Sequence, residues 1–393
     1  MVTQPITHSI FFILFVSSIF YSVWTLFSSF PQAAKVASSL CIWIALILTV
    51  MKKWNMIMDF RRYKYVDFLV LMLCIITVIQ IIRFFLFGGS ANALSVFTNP
   101  SHLLGLLPPI VYYACKSQMA YYWIRKYSIC LVIISAVFMH SDYCLLYVVP
   151  FLLYDFYGSN KQYLIIIVAI VGVMFVIRDG FIPSKEYEDT QRALLIVLFY
   201  SIICLAYFYL HFPKLFVWAV CMCSIIIPIA LFCYSIMTGI SIFSYMENIQ
   251  DDNLNVDTRT FLYREILYDL SNGNDWLMGK GISNGYESTF FDNKNRNVVE
   301  VYFLQLLFRG GAIWLLTFMC TIIISIIYAL KNSRNILCTS AAIMLSGFFF
   351  AGFVIDANGF KFFHVIIYFY IVICTSKRWN QYSDKKIAEL LKR

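Results

Sequence analysis

Almost the whole chain consists of apolar runs, and this limits its fold more than any single motif. The runs are roughly 15 to 25 residues long, the length a helix needs to cross about 30 Å of hydrocarbon. Inside a bilayer a chain must satisfy its own backbone hydrogen bonds, which leaves helices or closed barrels, and continuous rather than alternating apolar runs select helices. The sequence therefore predicts an all-α polytopic membrane protein embedded in a lipid bilayer. Of its 393 residues, 61% are hydrophobic and only 13% charged. A soluble domain carries about 25% charged residues.

The runs divide into about twelve transmembrane helices, centred near residues 19, 43, 76, 104, 133, 150, 170, 201, 226, 313, 345 and 367. The run near 104 carries Pro100, Pro108 and Pro109, breaks that persist only where neighbours or a water-filled cavity satisfy the freed backbone groups. The runs near 133 and 150 form a tight hairpin around His140-Ser141-Asp142. The first run, Ser9 to Phe30, lacks a basic leading segment and is too long for a typical cleaved signal, so it reads as a retained helix. No internal repeat is evident, which weakens the case for a transporter assembled from symmetric halves.

The net charge of +9 does not point to nucleic acid, because the basic residues flank apolar runs instead of forming one patch. They are distributed unevenly between the two sides. One side's short connections and tail carry 18 Lys and Arg, including five in KKWNMIMDFRRYK, and the other side's short connections carry six. The bias predicts cytoplasmic N- and C-termini and an external loop over 241–298, between the ninth and tenth spans. A smaller external segment covers 178–192, and a cytoplasmic tail runs over 376–393. All of this belongs to one integral membrane domain spanning 1–393.

The twelve cysteines fall inside apolar runs, where cysteine acts as a small hydrophobe, so neither a disulfide framework nor a thiolate metal site is expected. No HExxH or similar spacing points to a metal. His102 and His364 stand in or beside apolar helices and read as hydrogen-bonded structural residues, and His140, with Asp142 in an external hairpin, reads so too or else approaches the external loop.

Chemistry concentrates in the long loop. In DTRTFLYREILYDL, Asp257 is suited to cap a helix on which Arg259, Leu262, Tyr263, Ile266, Leu267 and Leu270 share one face. That stripe would rest on the membrane surface or on the bundle. Arg259, at its head, either snorkels at the interface or offers its fork to phosphate oxygens. The cluster WLMGKGISNGY follows, and its Gly279, Gly281 and Gly285 permit a tight turn or close approach to a ligand. Arg309 lies nine residues after Glu300, about 14 Å along a regular helix and half a turn round from it. A charge at such depth faces a cavity or a partner, either an acid in the bundle or a lipid phosphate.

These segments together form a series: Asp257-Thr258-Arg259, then Trp276-Leu277-Met278-Gly279-Lys280-Gly281, then Glu300-Val301-Tyr302-Phe303-Leu304-Gln305 through Gly310-Gly311. The series resembles the superfamily of O-antigen polymerases (Wzy) and O-antigen ligases, which are bacterial membrane glycosyltransferases with a GT-C-like fold. The motif match covers about 55 residues, and its weight lies in the order and spacing of three degenerate pieces. Ligases of this superfamily place a His-Asn pair where this chain has Glu300-Val301, a departure that favours polymerase over ligase.

The resemblance implies polymerisation of undecaprenyl-pyrophosphate-linked repeat units at the periplasmic face of a bacterial inner membrane. Both glycan donor and glycan acceptor would be lipid-linked, no metal or other cofactor is expected, and a flippase and a chain-length regulator would be partners. Arg259 and Glu300 are the implied catalytic residues, Arg259 stabilising the departing pyrophosphate and Glu300 acting as the base. Arg264, Lys280, Arg178, Arg192, Arg296 and Arg309 could bind pyrophosphate or glycan. The competing readings are an O-antigen ligase and, from a different class, a lipid-linked glycan flippase.

Overall fold

The computed structural model describes residues 4–26, 31–59, 64–87, 97–98, 109–117, 119–137, 150–151, 188–210, 212–238, 258–272, 275–282, 284–289, 293–296, 299, 301–354 and 360–391. The helices are α1 (Gln4–Leu26), α2 (Pro31–Met58), α3 (Tyr65–Phe87), α4 (Val111–Cys115), α5 (Ala120–Val137), α6 (Glu188–Leu210), α7 (Lys214–Thr238), α8 (Thr258–Asn272), α9 (Tyr302–Asn332), α10 (Ile336–Ala351), α11 (Phe362–Thr375), α12 (Lys377–Gln381) and α13 (Asp384–Leu391). A two-stranded antiparallel hairpin, β1 (Tyr286–Ser288) with β2 (Asn293–Arg296), lies between α8 and α9.

Four helical stretches are long and apolar enough to cross a membrane: Ala33–Met58, Tyr65–Leu86, Lys214–Tyr234 and Tyr302–Asn332. Shorter apolar helices cover Thr7–Tyr21, Leu198–Leu210, Ile336–Ala351 and Phe362–Thr375. The chain is an all-α, multi-pass membrane protein. Nine of the expected runs coincide with described helices, α5 among them; those near 104 and 170, the His140 hairpin and most of the run near 150 lie outside the described residues.

Side-chain contacts sort the bundle into two ends. At one end Lys52 donates to the Thr7 hydroxyl at 2.6 Å, which closes the antiparallel pair α1–α2. At the same end Lys64 donates to the Thr375 carbonyl at 3.3 Å and Lys214 to the Ser333 carbonyl at 2.9 Å. The C-terminal segment is stitched on here too. Asn335 caps α10 at Cys338 N–H and donates to the carbonyls of Trp379 and Tyr382, while Asp384 accepts from Ile336 N–H at 2.8 Å. Lys52, Lys64, Lys116 and Lys214, all assigned by charge to one side, gather at this end. At the other end lie the polar loop, the C-terminal turns of α1 and α3, and the start of α11, whose Phe362 N–H donates to Ser18.

Asp67, buried in the first turn of α3, organises the basic end. It accepts from the Tyr112 hydroxyl at 2.7 Å and from Lys116, and it also takes the backbone N–H of Lys64. A buried carboxylate is tolerable only when its lone pairs are met in this way. Replacing Asp67 with Ala strands the Lys116 ammonium and the Tyr112 hydroxyl. The expected cost is about 2 kcal/mol, read as a lowered thermal unfolding midpoint in detergent, with Asp67→Asn intermediate.

Candidate functional site

Helix α8 carries the predicted stripe, and the stripe faces protein. Leu262, Ile266 and Leu270 are fully buried. The Tyr263 ring packs on Phe232 at 5.8 Å, and its hydroxyl donates to the Phe353 carbonyl at 3.4 Å. The stripe therefore rests on the bundle rather than on lipid. Glu265 ties the helix to the hairpin by accepting from the Ser288 hydroxyl and from both the N–H and hydroxyl of Thr289, all within 2.9 Å.

Helix α9 is broken at Gly311, where φ is 76° and ψ 177°. The contacts around it require a bend. Phe303 N–H donates to the Gly352 carbonyl at 2.9 Å, at the far end of α10. Straight helix from Asn332 back to Phe303 would rise about 44 Å, whereas α10 rises only about 24 Å. The half Tyr302–Gly310 consequently turns in over the end of α10, with Phe303 against Phe348, Phe349 and Phe353. The other half, 312–332, is about 31 Å long, which matches one crossing.

A helix break within an apolar bundle leaves donors and acceptors unpaired unless something else meets them. Here the glycine turn meets them. Lys280 N–H donates to the Phe308 carbonyl at 2.7 Å and Gly281 N–H to the Arg309 carbonyl at 3.1 Å. In return Ala312 N–H donates to the Trp276 carbonyl at 2.8 Å and Ile313 N–H to the Leu277 carbonyl at 3.3 Å. Two backbones this close leave no room for a side chain between them. A Cβ at Gly279 would stand 2.6 Å from backbone atoms of Arg309 and Gly311, and one at Gly311 would stand 2.2 Å from the Leu277 carbonyl oxygen.

Four charges surround the turn. The Arg83 guanidinium at the end of α3 donates to the carbonyls of Met278 (3.1 Å) and Gly279 (2.6 Å) and pairs with Asp275 at 3.4 Å. One turn earlier, Gln80 donates to the Met278 carbonyl at 2.6 Å. Lys280 lies between two carboxylates, Asp275 at 3.1 Å and Asp269 at 3.5 Å. Arg83, Gln80 and Asp275 were not singled out from the sequence. Nothing local to α3 reveals that a turn about 195 residues later docks on Arg83.

The candidate residues differ in what surrounds them. Arg259 lies in the first turn of α8, and Arg192 lies in the first turns of α6. Arg264 is on the exposed face of α8, and Arg296 ends β2, half-buried. Glu300 and Arg178 lie outside the described residues, as does Asp257. Arg309 is buried and donates to the Ile282 carbonyl, so it joins α9 to the turn. The bend at Gly311 puts Arg309 in the half that turns over α10, beside the end of the membrane-crossing half. His364 is buried in the first turn of α11, accepts from Lys361 N–H at 3.1 Å and has its ring 3.8 Å from that of Phe363. Among the described residues no His, Cys, Asp and Glu group is arranged to hold a metal ion.

Comparison with known proteins adds no relative: no family model, no curated protein and no solved structure matches this chain.

The interlock makes the glycines unequal. Gly279→Ala and Gly311→Ala each add a backbone overlap to the cost of about 1–2 kcal/mol for a side chain at positive φ. Gly281→Ala incurs only the second cost, because nothing lies within 4 Å of its Cβ position. Hydrogen exchange at Lys280, Gly281, Ala312 and Ile313 is expected to accelerate sharply in the first two variants and little in the third.

Proposed function

We propose that the chain is a polysaccharide polymerase of the bacterial inner membrane that joins undecaprenyl-pyrophosphate-linked repeat units on the periplasmic side. The observation that carries this reading is the interlock. Two of the three sequence pieces shared with the O-antigen polymerase superfamily, the glycine turn and the Gly310-Gly311 segment, are in direct backbone contact, and the arginine-bearing helix packs beside them. Pieces scattered over about 55 residues thus meet in one substructure.

In this reading a hydroxyl of the incoming unit attacks the anomeric carbon of the growing glycan. The bond from that carbon to the pyrophosphate oxygen breaks, and the lipid diphosphate leaves with the bonding electrons. Arg259 neutralises the charge as it develops, aided by the N-terminal end of α8, which favours anions. Glu300 takes the proton from the attacking hydroxyl. Arg264 and Arg296 supply further positive charge from the exposed loop. Lys280 is held by two carboxylates and Arg309 by the Ile282 carbonyl, so in this reading both act chiefly by fixing the turn. Binding of two lipid-linked substrates fits an active loop packed on a bundle that spans the bilayer.

Removing one donor that stabilises developing charge lowers a rate by roughly 10²–10³. Arg259→Ala is expected to abolish long glycan chains while single repeat units persist, as read on a silver-stained gel of cell-surface glycolipid. Arg259→Lys, which keeps the charge and loses the fork, should give shortened chains. Normal chain length in Arg259→Ala removes the assignment.

A further inference from the structure

The turn that patches α9 presents an apolar side chain with no protein covering it. Leu277 is 63% exposed although both of its neighbours are partly buried. Its carbonyl accepts from Ile313 N–H, which places it next to the first residue of an exposed apolar stripe on α9. That stripe comprises Ile313, Leu316, Cys320 and Ile327, spaced to lie along one side of the membrane-crossing half. A second exposed stripe runs along α3 through Ile75, Val78, Ile79, Ile82, Phe85 and Leu86. Arg83, which grips Met278 and Gly279, sits three residues before the end of that stripe. The turn therefore lies level with apolar surface that faces lipid, not above it.

We propose that the turn Trp276–Gly279 dips into the lipid leaflet on the loop side and that Leu277 inserts among its acyl chains. The argument is continuity, since Leu277 extends the lipid-facing surface of α9 without a gap. Two further features fit that depth. The four carbonyls of the turn, from Trp276 to Gly279, are paired with α9, Arg83 or Gln80, which lowers the cost of placing irregular backbone in hydrocarbon. Four charges at the turn are mutually paired, Arg83 and Lys280 against Asp275 and Asp269, and Arg309 is buried on the Ile282 carbonyl, which lowers the cost of carrying them to the boundary. Trp276, next to Leu277 in the turn, is half-buried with its Nε1–H on the Ser271 hydroxyl at 3.2 Å. An amphipathic ring next to an apolar tip is suited to an interfacial anchor. The proposal holds whatever chemistry the loop performs.

The test uses full-length protein reconstituted in phosphatidylcholine vesicles, with the photoreactive residue p-benzoylphenylalanine replacing Leu277, Leu316 or Glu287 in turn. Leu316 is the lipid-facing reference, and Glu287, exposed on β1, is the aqueous one. Irradiation followed by mass spectrometry reads covalent acyl-chain adducts. Adduct yield at Leu277 matching Leu316 and at least severalfold above Glu287 is the expected result. Yield at Leu277 no higher than at Glu287, or crosslinks from Leu277 to protein instead of lipid, overturns the proposal. Because Leu277 is exposed, its replacement disturbs no packing.

Discussion

An unpaired backbone amide or carbonyl in a nonpolar interior costs several kcal/mol, and the loop end of this protein is built around meeting that constraint. Helix α9 stops being helical at Gly311, and four backbone groups on either side of the break find partners in one short turn. Once that exchange exists, the close approach of two backbones dictates glycine at 279 and 311. The bend then carries Tyr302–Gly310 over the end of α10, and this sets where the loop and the spanning helices meet. Arg83 and Gln80 from α3 complete the joint by occupying the carbonyls at the apex of the turn.

The same joint shows how charge can be used structurally in a place that looks functional. Arg309 and Lys280 both have the sequence profile of phosphate ligands, being basic residues beside glycines near a membrane boundary. Arg309 donates to a backbone carbonyl, and Lys280 lies between carboxylates. Both contacts tie the turn to its neighbours.

Several elements could be read from residue order because they rest on local periodicity. The stripe on α8 was evident at helical spacing, and Leu262, Ile266 and Leu270 are buried as that spacing requires. The apolar runs near 43, 76, 226 and 313 appear as helices long enough to cross a bilayer. What the stripe packs on was left open between membrane and bundle, because periodicity gives a face and not its partner. The bend in α9 was hidden for a related reason: a glycine pair in an apolar helix is equally compatible with a straight packing surface.

Order of residues alone determined that this chain spans a membrane and that an amphipathic helix lies in its long polar segment. Those features follow from how many apolar residues occur in a row and how they repeat, which needs no knowledge of distant contacts. Tertiary structure alone decided that the glycine turn repairs a broken helix, that Arg83 holds the turn, and that Arg309 reaches Ile282. Each of these joins residues 27 or more positions apart through hydrogen bonds in which at least one partner is a backbone group. Backbone groups are the same in every residue, so the sequence carries no mark of which of them will meet.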